Sequence, residues 1–495
     1  MTLELSIEPA PGRHLAGASL PVAVVLKNAG AGSAEVPQDD ELPFEFVLQP
    51  QSPGGRAYSL SQVVVQTQRM MDPLPSARVQ LSPLAAGATR RYEADLATLG
   101  VEPLRPGRYA LSVAWARAGA PRLASAPVAL ELAAPVVRSF ATAASPRHER
   151  FGQVVLESGG PQPRVLQRVA GEDRPADGPW HDVPGGAAPG AVQAVAAGLP
   201  SPGDTAPGGG PDDGTRWLGV LQQGPGGPAL SAAIVQGAAV FRRIDPLPLG
   251  VAVADLAPVG WQARREQASF VALGKGADGR LRLVLAAFAV GGQSGVRAVP
   301  IDDVAGPARW AVRFHGAGAP LKLDLVTVES RAGRWRVVQR VVDFSSGQAA
   351  APVVLDEDAA PVVALALDPL KGLGGPDAVD VLAGLAGPPA QLRLRRLALA
   401  GGAPVAEGRF ALPVDAAGRP AQDWQLSPPA HPRRVAVARL GDQLIGRALG
   451  PGGVAAQIVD AAAPQATLLQ LRAIGSGLWA TWIDPALGLR FAAVP

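Results

Sequence analysis

GLWATWIDPALGLRFAAVP, Gly477 to Pro495, is the stretch on which the reading of this sequence turns. It holds two apolar runs joined by a turn at Asp484-Pro485, with no polar tail after them. Terminal segments usually fray into solvent, so one this apolar is expected to be tied into a sheet. An open sheet leaves two edges unpaired, and radial closure is one way of protecting them. The stretch therefore predicts a ring of small sheets closed by its C-terminal strand.

Upstream, seven apolar runs precede Gly-containing turns: GQVVLE from Gly152, WLGVL from Trp217, FVAL from Phe270, WAVRF from Trp310, VVALAL from Val362, VAVARL from Val435 and LWATWI from Leu478. Their starts lie roughly 40 to 70 residues apart, against about 40 to 50 for a four-stranded propeller blade. Partner runs LRLVL (281–285), LKLDL (321–325) and LRLRRL (392–397) alternate apolar with charged residues, the period-2 pattern of a half-buried strand. Asp278-Gly279, between FVAL and LRLVL, predicts a type I′ hairpin. PVVRSFATA (135–143) is expected to complete the last blade, so that both ends of the 136–495 region share one sheet. PGAVQAVAAGL (189–199) and PDAVDVLAGLAG (376–387) read as short helices or as buried strands. Residues 183–215, almost all Gly, Pro, Ala and small polar residues, predict a flexible surface excursion.

Residues 1–135 carry short strand-like runs at near-regular spacing, among them LELSIEP, PVAVVLKN, PFEFVLQ, TRRYEADL, GRYALSVAW and PVALEL. That is the pattern of an immunoglobulin-like sandwich. LRPGRYALSVAW (104–115) resembles the late strand pair of bacterial immunoglobulin-like domains, in which a Pro-Gly turn feeds a strand bearing an inward tyrosine. The expected fold class is all-β: an N-terminal immunoglobulin-like β-sandwich over 1–135, then a six- or seven-bladed β-propeller over 136–495.

Composition agrees with many short strands. At 495 residues the chain exceeds one hydrophobic core, and 59 Gly with 50 Pro interrupt any long helix. Net charge is +3, but only four of the 45 basic residues are lysine and the 42 acids are interspersed, so no basic footprint for nucleic acid emerges. Arg242-Arg243 and Arg395-Arg396 read as solvated strand faces rather than anion sites. The absence of cysteine removes disulfides, thiolate metal sites and cysteine nucleophiles. MTLELSIEPAPG lacks a signal peptide's basic and apolar regions, and no 18-residue apolar run exists, so a bacterial cytoplasmic protein without membrane insertion is expected.

The candidate sites are few. GKGADG (274–279) matches G-x-G-x-x-G, but it joins two strands and reads as a hairpin rather than a dinucleotide loop. P-loop, H-E-x-x-H and G-x-S-x-G patterns are missing from the sequence. Aligning the seven runs places His148, Asp213, Glu266 (beside Arg264 and Arg265), Asp358 (beside Glu357) and His431 four to five residues upstream of a run, at one expected channel mouth. Two imidazoles and three carboxylates there suit a divalent metal or acid–base chemistry, although loops entering strands are polar in any case. The Trp310 run breaks the pattern, its nearest acids being Asp302 and Asp303. Trp180-His181-Asp182 offers an aromatic platform for sugar or peptide, or a packing tryptophan. His315 reads as a satisfied histidine. The three tyrosines all fall in the sandwich, against a tyrosine-dependent glycosidase propeller. The expected function is non-catalytic binding or scaffolding of a protein or glycan partner without a cofactor. The alternatives are a metal-assisted hydrolase or lyase at the channel mouth and a structural subunit of a larger bacterial assembly.

Overall fold

A computed structural model describes the chain except residues 1, 39–41, 53–56, 62–78, 100–103, 117–120, 144–149, 161–162, 172–179, 184–191, 201–214, 225, 237–238, 258, 265–266, 302–303, 305–306, 316–321, 369–376, 386, 388, 400, 402–403, 450–456, 461–465, 475–476, 485–487 and 495. The described residues are all-β, and none of their helices is long and apolar enough to cross a membrane. The chain divides into two compact units, Met1–Pro135 with Ala176–His181, and Val136–Pro175 with Asp182–Pro495.

In the first unit, Leu3–Pro9, Pro21–Asn28 and Thr89–Asp95 form one antiparallel sheet. A second sheet runs His14–Leu15, Val128–Ala133, Gly107–Trp115, Phe44–Pro50 and Tyr58–Leu60, with Leu123–Ala124 paired to Gly107–Trp115. Alternate residues of both sheets face one core: Val22, Val24 and Leu26 from the first, Phe44, Phe46, Leu111 and Val113 from the second. Tyr109 is buried and its hydroxyl donates to Arg105 O at 3.0 Å, fixing the turn that precedes its strand. The sole asparagine, Asn28, is also structural, donating from Nδ2 to Gly32 O at 2.7 Å and Leu84 O at 2.9 Å.

The described residues of the second unit form a succession of seven antiparallel meanders. Their first strands are Val137–Ala143, Val192–Pro200, Val259–Arg264, Arg309–Phe314, Val362–Leu367, Gln422–Leu426 and Thr467–Ile474. Second strands follow at Arg150–Glu157, Thr215–Gly224, Gln267–Lys275, Lys322–Arg331, Ala378–Leu385, Val435–Leu440 and Gly477–Asp484. Each meander buries a face against the next. Val154 and Leu156 pack with Val195 and Leu218; Trp217 and Ile234 with Phe270 and Phe288; Leu283 and Val299 with Phe314 and Leu325. The series continues through Val326 with Val379, Leu382 with Trp424 and Ala436, and Val437 with Leu471 and Trp482. At roughly 1.5–3 kcal/mol per buried large side chain, these interlayer cores are the main stabilising term of the unit. The first strands of the second and third meanders also pair in parallel from Ala197↔Val259 to Pro200↔Gln262. The last meander meets the first where Gln470 Nε2 donates to Phe140 O at 3.4 Å.

Three expectations are corrected. Val137–Ala143 does not complete the last sheet: it pairs with Arg150–Glu157 and so opens a meander of its own, while Gly488–Ala493 lies on Gly477–Asp484. Both termini of the region are thus joined by contact between two sheets rather than by sharing one. The 183–215 stretch is not one loop, since Val192–Pro200 within it is a first strand whose Ala196 and Ala197 are buried, small residues serving where strands approach closely. Of the two alternatives left open for 376–387, residues 378–385 take the strand. The Asp278-Gly279 hairpin is present, but only Gly279 has positive φ (75°), and the connection from Gly276 to Arg280 is five residues long, so it is not a type I′ turn.

Candidate functional site

The second unit contains a pocket of about 490 Å³ lined by residues of its third to sixth meanders. Leu273, Leu281 and Leu365 give it apolar walls, and Asp255, Lys275, Arg309 and Gln425 give it polar groups. Two indoles, Trp310 and Trp424, complete the lining. Trp310 is half-buried, and its Nε1 donates to Asp255 Oδ2 at 2.8 Å while Asp255 Oδ1 accepts from Leu256 N at 2.9 Å. Trp424 is almost wholly buried and donates to Ala421 O at 3.1 Å.

The local backbone explains how Trp424 arrives there. The pairing of Gln422–Leu426 with Val435–Leu440 shifts register between Gln422 and Gln425, and Asp423 within the irregularity takes φ +56°. A bulge of this kind re-aims the next side chain, and left-handed backbone outside glycine is kept only where surroundings impose it. Asp423 Oδ2 also accepts from Arg439 Nε at 3.1 Å. The Asp423 charge acts on Arg309. Burial pushes the Arg309 guanidinium below its usual range and the Asp423 charge only partly restores it.

A second feature is an ionic network inside the fourth to sixth meanders. Arg313, 4% exposed, donates from Nη2 to Asp324 Oδ2 at 2.7 Å and from Nη1 to Asp377 Oδ1 at 2.8 Å. Gln339 Nε2 donates to Asp324 Oδ1 at 2.8 Å, and His315 Nε2 lies 2.8 Å from Asp324 Oδ2. Burial opposes the Asp324 charge, but His315, Arg313 and Gln339 outweigh it and hold the carboxyl down at about 2. Arg396 grips Asp380 through two 2.7 Å bonds. Asp368, buried beside them, accepts from Ala430 N at 3.1 Å through Oδ1 and leaves Oδ2 without a partner; burial raises its pKa, with the Asp380 charge adding to the effect.

Of the residues singled out in the sequence, His148, Asp213, Arg265 and Glu266 lie outside the described residues. His431 sits in the connection between the first and second strands of the sixth meander, buried, with Nδ1 against the Arg433 backbone and Nε2 unpartnered. Asp358 is the last residue of Val353–Asp358, a strand paired to the third strand of the fourth meander, and its carboxylate is held by Arg393 and Ala360 N. It does not share a connection type with His431, because the aligned runs were not equivalent: five are second strands and two, at Trp310 and Val362, are first strands. Trp180 is no open platform, being 3% exposed with its backbone bonded to Gly17 and Ser19, while His181 is half-buried and Asp182 exposed. Arg395 and Arg396 are not a solvated face, since they are committed to Asp356, Glu407 and Asp380. Among the described residues, no group of three His, Asp or Glu is placed to hold a metal ion. The sequence reading missed the pocket. Its one signal was a tryptophan near the start of two first strands, in ARWAV and QDWQL.

No protein-family model matches the chain, and no curated protein matches it in sequence. Solved structures do match. The Kuenenia stuttgartiensis hydrazine synthase is 10% identical, with 74% of this chain and 97% of that one covered and a TM-score of 0.42. The SapL1 lectin in complex with alpha methyl fucoside is 13% identical over 66% of this chain and 98% of its own, TM-score 0.34. A glucose dehydrogenase is 11% identical over 55% and 94%, TM-score 0.30. Propeller folds occur among such neighbours.

Proposed function

We propose that the protein is a non-catalytic recognition protein whose second unit is a seven-bladed propeller, and that the pocket across its third to sixth blades binds a glycan. The observation that carries this is the half-buried indole of Trp310 in a 490 Å³ pocket of mixed apolar and polar lining, in whose wall Trp424 is buried. An aromatic face beside a few fixed polar groups suits a sugar, which presents C–H surface and hydroxyls together. Against chemistry in the pocket stands Asp255, its single carboxylate, which is occupied by the Trp310 and Leu256 donors rather than poised to exchange a proton. The first unit is read as an immunoglobulin-like sandwich, supported by the Tyr109 hydroxyl bonded back to Arg105 O at the start of its strand.

The test is a tryptophan-fluorescence titration of the whole chain with a panel of oligosaccharides, with chromatography of the same mixtures for products. Saturable binding without turnover is expected, and Trp310→Ala should weaken it by about tenfold, the factor that about 1.4 kcal/mol of lost aromatic contact represents. Cleaved product, or a panel in which nothing binds, would count against the reading.

A further inference from the structure

We propose that Arg309 makes this pocket selective for an anion, so that its ligand is a carboxylated sugar rather than a neutral one. This deepens the glycan reading above and rests on it.

Among the described residues, arginines of the second unit's interior are generally neutralised at short range: Arg313 by Asp324, Arg340 by Glu329, Arg396 by Asp380 and Arg395 by Asp356. Arg472, bonded to Leu471 O, and Arg309 are exceptions, and of the two Arg309 lines the pocket. Arg309 is half-buried and has no hydrogen bond or ion pair among the described residues. A guanidinium taken part-way out of water without an ion pair is costly, and the cost is recovered when an anion enters beside it. Asp423, whose charge acts on Arg309, is itself hydrogen-bonded to Arg439.

The remaining lining points the same way. Lys275 is a second cation on the pocket, also without an ion pair among the described residues, so two cations face the single acid Asp255. Asp255 is itself engaged by two donors, the Trp310 indole and Leu256 N. Trp310, adjacent to Arg309 in the chain, then supplies the ring face while Arg309 supplies a planar, two-pronged donor that matches a carboxylate. The volume suits a ligand of one or two sugar rings.

The experiment is isothermal titration of the whole chain with a uronic-acid disaccharide and with its neutral counterpart, in which a hydroxymethyl group replaces the carboxylate. The acidic sugar is expected to bind at least about tenfold tighter, and Arg309→Gln to abolish that preference, read as the ratio of the two affinities. Arg309→Lys, which keeps the charge but loses the fork, should retain part of the preference. Equal binding of the two sugars to the native chain, a comparison that needs no variant, overturns this inference and leaves the glycan reading standing. Preference undiminished in Arg309→Gln overturns it too, and binding of neither sugar overturns both.

Discussion

Asp324 sits in LKLDL, an alternating run whose charged positions a sequence reading assigns to solvent. The strand Lys322–Arg331 is instead buried on both faces over most of its length, and the carboxylate stays ionised because Arg313 lies directly opposite it in register. Its folded pKa of about 2 lies below the ordinary 3.8, so the stabilisation is fully present above pH 4 and is lost as pH falls towards 2. That amounts to about 2 kcal/mol. Asp324→Ala is expected to cost more, about 3 kcal/mol at pH 7, because it leaves Arg313 buried with only Asp377 to pair it. Urea unfolding of both proteins from pH 7 to pH 2 checks this: the gap should narrow in acid, and equal midpoints at pH 7 would refute it. Asp368 has the opposite sign. Burial raises its pKa, so what it contributes is present below pH 3.8 and is lost as pH rises through the folded value. None of this was legible from alternation alone, because a charge that is buried against its cross-strand partner has the same spacing as one facing water.

At the scale of strands, much was legible and the errors have a common cause. Second strands such as Gln267–Lys275, buried on nearly every residue, write continuous apolar runs, and these were the runs the sequence displayed. First strands are quieter: Val192–Pro200 is VQAVAAGLP, small residues resembling a linker. The fourth and fifth first strands were apolar enough to be seen and were aligned with the second strands of the others, which is why Asp358 and His431 were expected at one mouth. The quietness has a packing reason, visible at Gly260. A Cβ there would meet Phe270 Cδ1 at 2.4 Å and Ser269 O at 2.8 Å, and one at Gly219 would meet Phe270 Cδ1 at 2.9 Å. Phe270 therefore occupies the space that two glycines of neighbouring strands leave open. Gly260→Ala should destabilise by about 1–3 kcal/mol through overpacking. In a Phe270→Leu background the same change should cost clearly less, and additive losses in that double-mutant cycle would show that the ring is not the obstacle.

For the second unit as a whole, the apolar C-terminal stretch correctly signalled burial but not how it is achieved. Leu478, Ala480 and Trp482 of Gly477–Asp484 are buried against Val437 and Leu444 of the sixth meander, and Gln470 of Thr467–Ile474 reaches Phe140 of the first. The strands at 467–493 thus stand between the two ends of the series without exchanging a strand with either. The contact shown between the last meander and the first is that Gln470 side-chain hydrogen bond rather than a shared ladder of backbone hydrogen bonds, so it is the joint at which the series should open first. Deleting residues 467–495 removes one side of the core around Val437. The truncated chain is expected to unfold at lower urea with a smaller m value, because less surface remains to be exposed, and to bind a dye for exposed apolar surface in the absence of denaturant. Gln470→Ala removes only one neutral hydrogen bond and should cost about 1 kcal/mol with m unchanged. A truncated chain that keeps the native midpoint and m value would mean that the meanders stand without closure, and the ring reading would fall with it.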